Sequence, residues 1–362
     1  RLVGINSREI QYDDAFSIFL ARQSLGNIIQ GTAADTMPPL YYFLLHFWLG
    51  LSDDLAVLRL LSVGLSLIGW LIAVDLCRRM FGVRTALVAG LLLAFSPLQI
   101  YHSQDLRMYA LLLVGQTAYY WFFYRIFEEK NPQKLLWIGL IISGIIALYS
   151  HALAGFGLIW GNIYLLWKKR WNDHIQLIKA QLWIGLAYLP WAFFLPVQFA
   201  KVQRAFWTPQ PGVVEILQSV ILFHAHLPLK GTLLPIVAVV SAQLLFVVLW
   251  ELWKERINDS FIDLLGLLVI GFPLTLFILS YFMQPVFVTR VFILSNVMYC
   301  IAASRFILLK WKRGIGAFLL GGFLLTALIS LPSFYTFNEF PRSPFRQAVY
   351  YLNLPQNSSL FV

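Results

Sequence analysis

Apolar runs of about 20 residues recur from one end of the chain to the other. As a helix, 20 residues rise about 30 Å, the thickness of a bilayer's hydrocarbon core. No water is available there to satisfy a backbone N–H or C=O. Such a segment must therefore close its own hydrogen bonds, and a helix does so within one segment. A membrane barrel would need shorter segments that alternate apolar and polar residues, and these runs do not alternate. Composition agrees, with 59% of the 362 residues hydrophobic and 12% charged, against about 25% charged in a soluble domain. The expected fold is all-α, a polytopic transmembrane helical bundle. About ten spans are placed near 57–77, 85–102, 108–126, 135–150, 152–167, 177–197, 231–252, 262–282, 288–309 and 314–332.

Charge sets the orientation. Fifteen of the 27 lysines and arginines fall in alternate loops, beginning with Arg78, Arg79 and Arg84 and ending with Lys310, Lys312 and Arg313. The positive-inside rule makes that face cytoplasmic. The net charge of +10 is thereby explained by topology, and no nucleic-acid partner is expected. Residues 1–56 then form an extracytoplasmic first loop with interfacial helices, including one expected stretch over 15–29. Residues 57–332 form the bundle, and 333–362 begin a C-terminal extracytoplasmic segment. Leu40 to Leu51 is apolar but too short to span, which suits a helix lying at the interface. The chain starts at Arg1 and stops at Val362 within an apolar tripeptide, so a fragment cut at both ends is expected. Cys77 and Cys300 lie in apolar runs and form no CxxC, so no disulfide framework is expected.

Polar clusters on the outer face carry the functional reading. Ser103-Gln104-Asp105-Leu106-Arg107-Met108-Tyr109 joins two spans and holds an acid, a base and a phenol. Ionisable groups beside spans lose hydration and by default mark function, although an ion pair at a helix end is also a structural device. A guanidinium such as Arg107 binds phosphate oxygens in pairs. Asp13 and Asp14 form a second acidic pair, readable as a helix cap or as a general base or metal ligand. Arg59 and Arg290 stand near outer span ends, where a base either snorkels or meets an anionic head group. His151 sits in a tight outer hairpin and reads as a structural histidine. His224-Ala-His226 lacks a third ligand nearby and reads as loop. Asn258-Asp-Ser and Asn357-Ser-Ser are weak glycosylation sequons. No P-loop, GxGxxG, HExxH or GxSxG occurs in its proper context.

Taken in order, these motifs resemble a known family. They are Tyr12-Asp13-Asp14-Ala15-Phe16, Pro38-Pro39-Leu40-Tyr41-Tyr42 with His46 and Trp48, Leu58-Arg59-Leu60-Leu61-Ser62, Arg78-Arg79-Met80-Phe81-Gly82, Ser96-Pro97, Gln104-Asp105-Leu106-Arg107-Met108-Tyr109 and Tyr149-Ser150-His151. The chain resembles the GT-C membrane glycosyltransferases of the protein O-mannosyltransferase and aminoarabinose transferase kind, best over residues 10–155. Thr289-Arg290-Val291-Phe292 is similar to a later Arg-Tyr-Leu element, with Val and Phe in place of the usual residues. The family usually has one more span before the first outer loop and often a soluble outer domain at the C-terminus.

The resemblance implies a sugar donor linked to polyprenyl phosphate and a hydroxyl acceptor on a glycan, lipid or protein. It implies a multi-pass protein of the bacterial inner (plasma) membrane, with its site on the extracytoplasmic face. Asp13 takes the place of the catalytic Asp. Asp14 stands where the family has Glu, and Asp105 matches the second acidic position; these three are the expected catalytic residues. Arg59, Gln104, Arg107, Tyr109, His151 and Arg290 are the expected substrate-binding residues. No metal ligand is assigned, although oxygen ligands would suit Mg²⁺ or Mn²⁺ if a divalent cation takes part. The rival expectation is a lipid or solute transporter or flippase. Transporters place ionisable groups near the midplane, whereas here they sit at the outer boundary. A non-catalytic envelope scaffold is the third class.

Overall fold

The computed structural model describes residues 1–5, 10–130, 133–205, 208–229, 231–255 and 260–335. The two sequons, Arg256 and nearly all of the segment 333–362 lie outside the described residues. The described residues are helical throughout, without strands. In order the helices are α1 (Tyr12–Ala21), α2 (Leu25–Ala34), α3 (Leu40–Leu49), α4 (Leu55–Phe81), α5 (Val83–Phe95), α6 (Pro97–Ser103), α7 (Tyr109–Phe127), α8 (Lys134–Ser150) and α9 (Ala154–Trp167). They continue as α10 (Trp171–Ala192), α11 (Leu195–Ala205), α12 (Val213–Leu222), α13 (Leu234–Glu255), α14 (Ser260–Gly266), α15 (Phe272–Phe282), α16 (Ile293–Leu309) and α17 (Ile315–Tyr335).

Every expected span is centred on helix, but the spans are less uniform than hydropathy implies. Four helices or continuous helical segments are long and apolar enough to cross a bilayer: Leu55–Phe81, Leu234–Glu255, Phe261–Phe282 and Ile315–Pro332. Two bent pairs, α5 with α6 at 61° and α10 with α11 at 64°, raise that number to six. The first bend falls at Ser96-Pro97. Proline disfavours helical geometry at the residue before it, and Ser96 is extended, with ψ of 118°. Within the Phe261–Phe282 segment, residues 267–271 widen into a π-turn just before Pro273. A ring nitrogen without N–H cannot donate back along the helix, so the local ladder is reset.

The expected helix over 15–29 is two helices. Arg22 closes α1, and the Ser24 hydroxyl caps α2 by accepting from the Asn27 N–H at 3.3 Å. The expected interfacial helix is α3. His46 Nδ1 donates to Ala21 O at 2.8 Å, and Trp48 Nε1 donates to Val57 O at 2.8 Å, so α3 is tied to both α1 and α4. Asp54 caps α4 through the N–H groups of Ala56 and Val57, at 2.8 and 3.2 Å. Gly82 ends α4 at φ of +84°, a conformation that glycine adopts without steric cost, and the chain turns directly into α5.

Helices α7 and α16 are buried along most of their length. Around them α4 and α5 bury small and apolar residues inward and expose Leu60, Leu67, Leu71, Leu87 and Leu91. Lipid is as apolar as leucine, so close van der Waals fit rather than water exclusion holds such helices together. Gly115 of α7 illustrates the fit: a Cβ there would lie 2.7 Å from the backbone nitrogen of Ala147 in α8. One end of the bundle carries Arg78, Arg79, Arg125, Arg170 and Lys310 and is the basic end. The opposite end holds α1, α2, α3, α6 and the 104–108 turn.

Candidate active site

The two acidic clusters, far apart in sequence, meet in space. Asp14 Oδ1 accepts from the Leu106 N–H at 2.9 Å, which pins the 104–108 turn onto the first turn of α1. Its Oδ2 accepts from the Gln11 N–H at 3.4 Å, closing a capping box, and stands 3.7 Å from Arg59 Nη2. Asp14 and Arg59 are both fully buried. Two charges removed from water persist only when paired and hydrogen-bonded. Arg59 Nη1 also donates to Ile5 O at 2.6 Å. Asp14 therefore acts as the clamp that joins α1, α4 and the turn.

The turn itself is held from below. Ser62 Oγ donates to Asp105 O at 2.6 Å, and Tyr41 Oη donates to Ser62 Oγ at 2.8 Å. The Asp105 carboxylate accepts from His102 Nδ1 at 2.8 Å. An ionised carboxylate only accepts, so this contact places a proton on Nδ1.

Asp13 is the exposed member of its pair, with 42% of its side chain accessible. Its Oδ2 stands 3.4 Å from Arg290 Nη1 and 3.9 Å from Arg107 Nε. Arg107 is buried and donates to Tyr42 Oη at 3.1 Å through Nη1. Arg107 Nε and the Tyr109 hydroxyl are buried without a hydrogen-bond partner among the described residues. Each such group normally has a partner. Both residues belong to the wall of a cavity of about 410 Å³ that also includes Asp13, Asp14, Asp105 and Arg290. A second cavity, about 300 Å³, is walled by apolar side chains of α12, α13, α15 and their surroundings, including Val220, Phe223, Leu249 and Phe277. The two share α12, and Ser219 on that helix contacts Thr289, the neighbour of Arg290, at 2.8 Å between hydroxyls.

Six of the nine residues expected at the site thus line one cavity. The other three do not. Arg59 is packed behind Asp14. Gln104 donates its amide to Arg1 O and Val3 O, at 2.7 and 2.9 Å, and so anchors the start of the chain. His151 accepts from the Leu153 N–H at 3.2 Å and lies 6.5 Å from the Tyr109 ring. Burial, and then the positive charges of Arg290 and Arg107, push its pKa down to about 3, so it stays neutral.

The cavity also recruits Gln11, Tyr101, His102, Gln218 and His226, which sequence reasoning missed. His102 had a usable signal, since it lies three residues before Asp105 and such pairs share a helical face. His226 was read as loop with His224, and nothing in the sequence places it against Tyr101, on which it stacks at 5.2 Å. Among the described residues no group of three or more His, Cys, Asp or Glu stands together as a metal site.

Residues 36–197 match the family described as dolichyl-phosphate-mannose-protein mannosyltransferase. Two solved structures share the fold. The crystal structure of ArnT from Cupriavidus metallidurans bound to undecaprenyl phosphate aligns with a TM-score of 0.62 at 16% identity, covering 88% of this chain and 60% of that one. The apo crystal structure of the same ArnT aligns with a TM-score of 0.57 at 15% identity, covering 87% and 58%. The chain therefore spans about three-fifths of the length of these solved structures. No curated protein matches it. Over residues 36–197 the chain is thus similar to that family, and over most of its length it shares the fold of the two solved structures.

Proposed function

We propose that this protein transfers a sugar from a polyprenyl-phosphate carrier to a hydroxyl acceptor on the extracytoplasmic face of a bacterial inner membrane. The observation that carries the reading is the composition of one cavity. A carboxylate, two guanidiniums and an unpartnered phenol meet there, beside a second cavity of apolar lining. Undecaprenyl phosphate is the ligand of one ArnT structure that shares the fold, and its chemistry matches both halves of this arrangement. In this reading residues 1–56 supply the outer loop, 57–332 the bundle, and 333–362 lead into an outer segment.

The lipid phosphate binds between Arg107 and Arg290, with the Tyr109 hydroxyl as a further donor. The acceptor oxygen attacks the anomeric carbon as the bond from that carbon to the phosphate oxygen breaks. The acceptor proton passes to Asp13 as general base. The bonding electrons leave with polyprenyl phosphate, and the two guanidiniums stabilise the charge that grows on it. A single displacement inverts the anomeric centre. Asp105 and Asp14 serve by holding His102, Leu106 and Arg59, and so fix the shape of the turn. A transporter would place its charges midway along broken helices, and this cluster lies at one end of the bundle.

Labelled sugar on undecaprenyl phosphate, supplied with membrane acceptors, tests the assignment. Asp13→Asn is expected to lose about 10²–10⁴ of the transfer rate while keeping the wild-type melting temperature. Turnover at the wild-type level would remove Asp13 as the base.

A further inference from the structure

Four rings follow one another along the cavity wall. His226 stacks on Tyr101 with centroids 5.2 Å apart and planes at 24°. Tyr101 meets His102 at 4.9 Å and 89°, and His102 meets Tyr109 at 4.7 Å. The series ends at the cation: the Arg290 guanidinium stands 5.7 Å from the centre of the Tyr109 ring. All four rings line the cavity, together with the amides of Gln11 and Gln218. Tyr101 donates to Gln11 Oε1 at 3.3 Å, so ring and amide are held in one unit. Each ring pairs an apolar body with a polar handle, as residues that hold half-polar ligands do. A sugar ring has the matching character, with C–H faces and a rim of hydroxyls.

Charge narrows the ligand further. Asp14 is engaged by Arg59 and Leu106, Asp105 by His102, and Asp13 by Arg107 and Arg290. An ammonium group entering this cavity would find Asp13 as the accessible carboxylate, already 3.4 and 3.9 Å from two guanidiniums. Sharing that acid with two cations would recover only part of the ammonium's lost hydration.

We infer that Tyr101, His102 and His226, with Gln11 and Gln218, form the subsite for the transferred sugar, and that it accepts a neutral hexose or pentose in preference to an amino sugar. This rests on the proposed donor, with the phosphate at Arg107 and Arg290 and the sugar extending along the rings.

The test is equilibrium binding to the full chain in lipid nanodiscs. The probes are undecaprenyl phosphate, the same lipid carrying mannose, glucose or arabinose, and the same lipid carrying 4-amino-4-deoxyarabinose. At least one neutral carrier is expected to bind about tenfold more tightly than the sugar-free lipid, the gain from one or two good contacts. The amino carrier is expected to show no such gain. Tyr101→Ala is expected to abolish the gain and leave sugar-free binding within about twofold, since the phosphate contacts persist. If Tyr101→Ala loses both, His226→Ala and Gln218→Ala decide by the same criterion. The subsite is overturned if the gain survives these substitutions, if no neutral carrier exceeds the sugar-free lipid, or if the amino carrier binds as tightly as the neutral ones. Failure of the wild type to bind undecaprenyl phosphate at all would instead remove the donor reading, and the subsite with it.

Discussion

At the basic end of the bundle, Asp75 accepts from Arg78 Nε at 2.8 Å, from Arg79 Nε at 2.7 Å and from Trp121 Nε1 at 2.7 Å. Arg79 and Arg125 both reach Glu129, at 2.9 and 3.2 Å, and Lys310 reaches Glu255 at 2.6 Å. At the other end Asp13 stands 3.4 and 3.9 Å from its two arginines, and Arg107 Nε and the Tyr109 hydroxyl are without hydrogen-bond partners among the described residues. Both ends gather acids and bases, and at both ends some close into short hydrogen bonds, Asp105 with His102 at 2.8 Å among them; the cluster of Asp13, Arg107 and Arg290 is the one that stays wider. A closed network fixes helix ends against each other. In the wider cluster on the cavity wall, Asp13 keeps 42% of its side chain accessible. Charge at a membrane boundary is therefore not enough to mark a site; the distances separate the two uses.

Breaking each end should give opposite results. Arg107→Ala is expected to lower sugar transfer by about 10²–10³-fold, the usual effect of removing one donor to a developing anion. Arg107→Lys should recover little, since a single ammonium does not replace a planar fork. Initial rates with saturating donor would check both. At the basic end, Asp75→Ala leaves Trp121 and the two arginines without their acceptor. It is expected to cost about 1–2 kcal/mol of stability, discounted for partial exposure, with turnover per folded molecule unchanged. Thermal unfolding in detergent, set beside the rate, separates the two effects.

The smallest expected effect concerns His151, at the edge of the loose end. Its folded-state pKa of about 3 lies below the unfolded value near 6.5. Between those values the unfolded chain binds a proton that the folded protein refuses, so stability falls as pH drops from about 6.5 toward 3. His151→Gln removes this term. Its melting temperature is expected to fall less than that of the wild type between pH 7 and pH 4. Equal falls would show that His151 does not titrate in this way.

The same contrast explains what could be read without coordinates. The long apolar runs foretold helices because a bilayer leaves the backbone no other partner. Asp13, Asp105, Arg107 and Arg290 were legible because charges interrupting apolar sequence stand out. Their company was harder to see. Arg59 looks like a phosphate ligand in sequence, yet it is buried against Asp14, a partner 45 residues away that only the fold supplies. Gln104 and His151 sit beside the right motifs, but their side chains turn toward backbone. Tyr101 and His226 are ordinary ring residues until the segment after α12 brings one onto the other. Hydropathy also says nothing of the bend at Ser96-Pro97, which carries α6 and its histidine to the cavity.

The most direct test is a structure of the protein in nanodiscs with undecaprenyl phosphate. Phosphate density is expected within hydrogen-bonding distance of Arg107 and Arg290, with the Tyr109 hydroxyl as a further donor and the lipid tail leading toward the apolar cavity beside α12. Phosphate density at the basic end, beside Arg78 and Arg79, with the cavity at Asp13 left empty, would contradict this expectation.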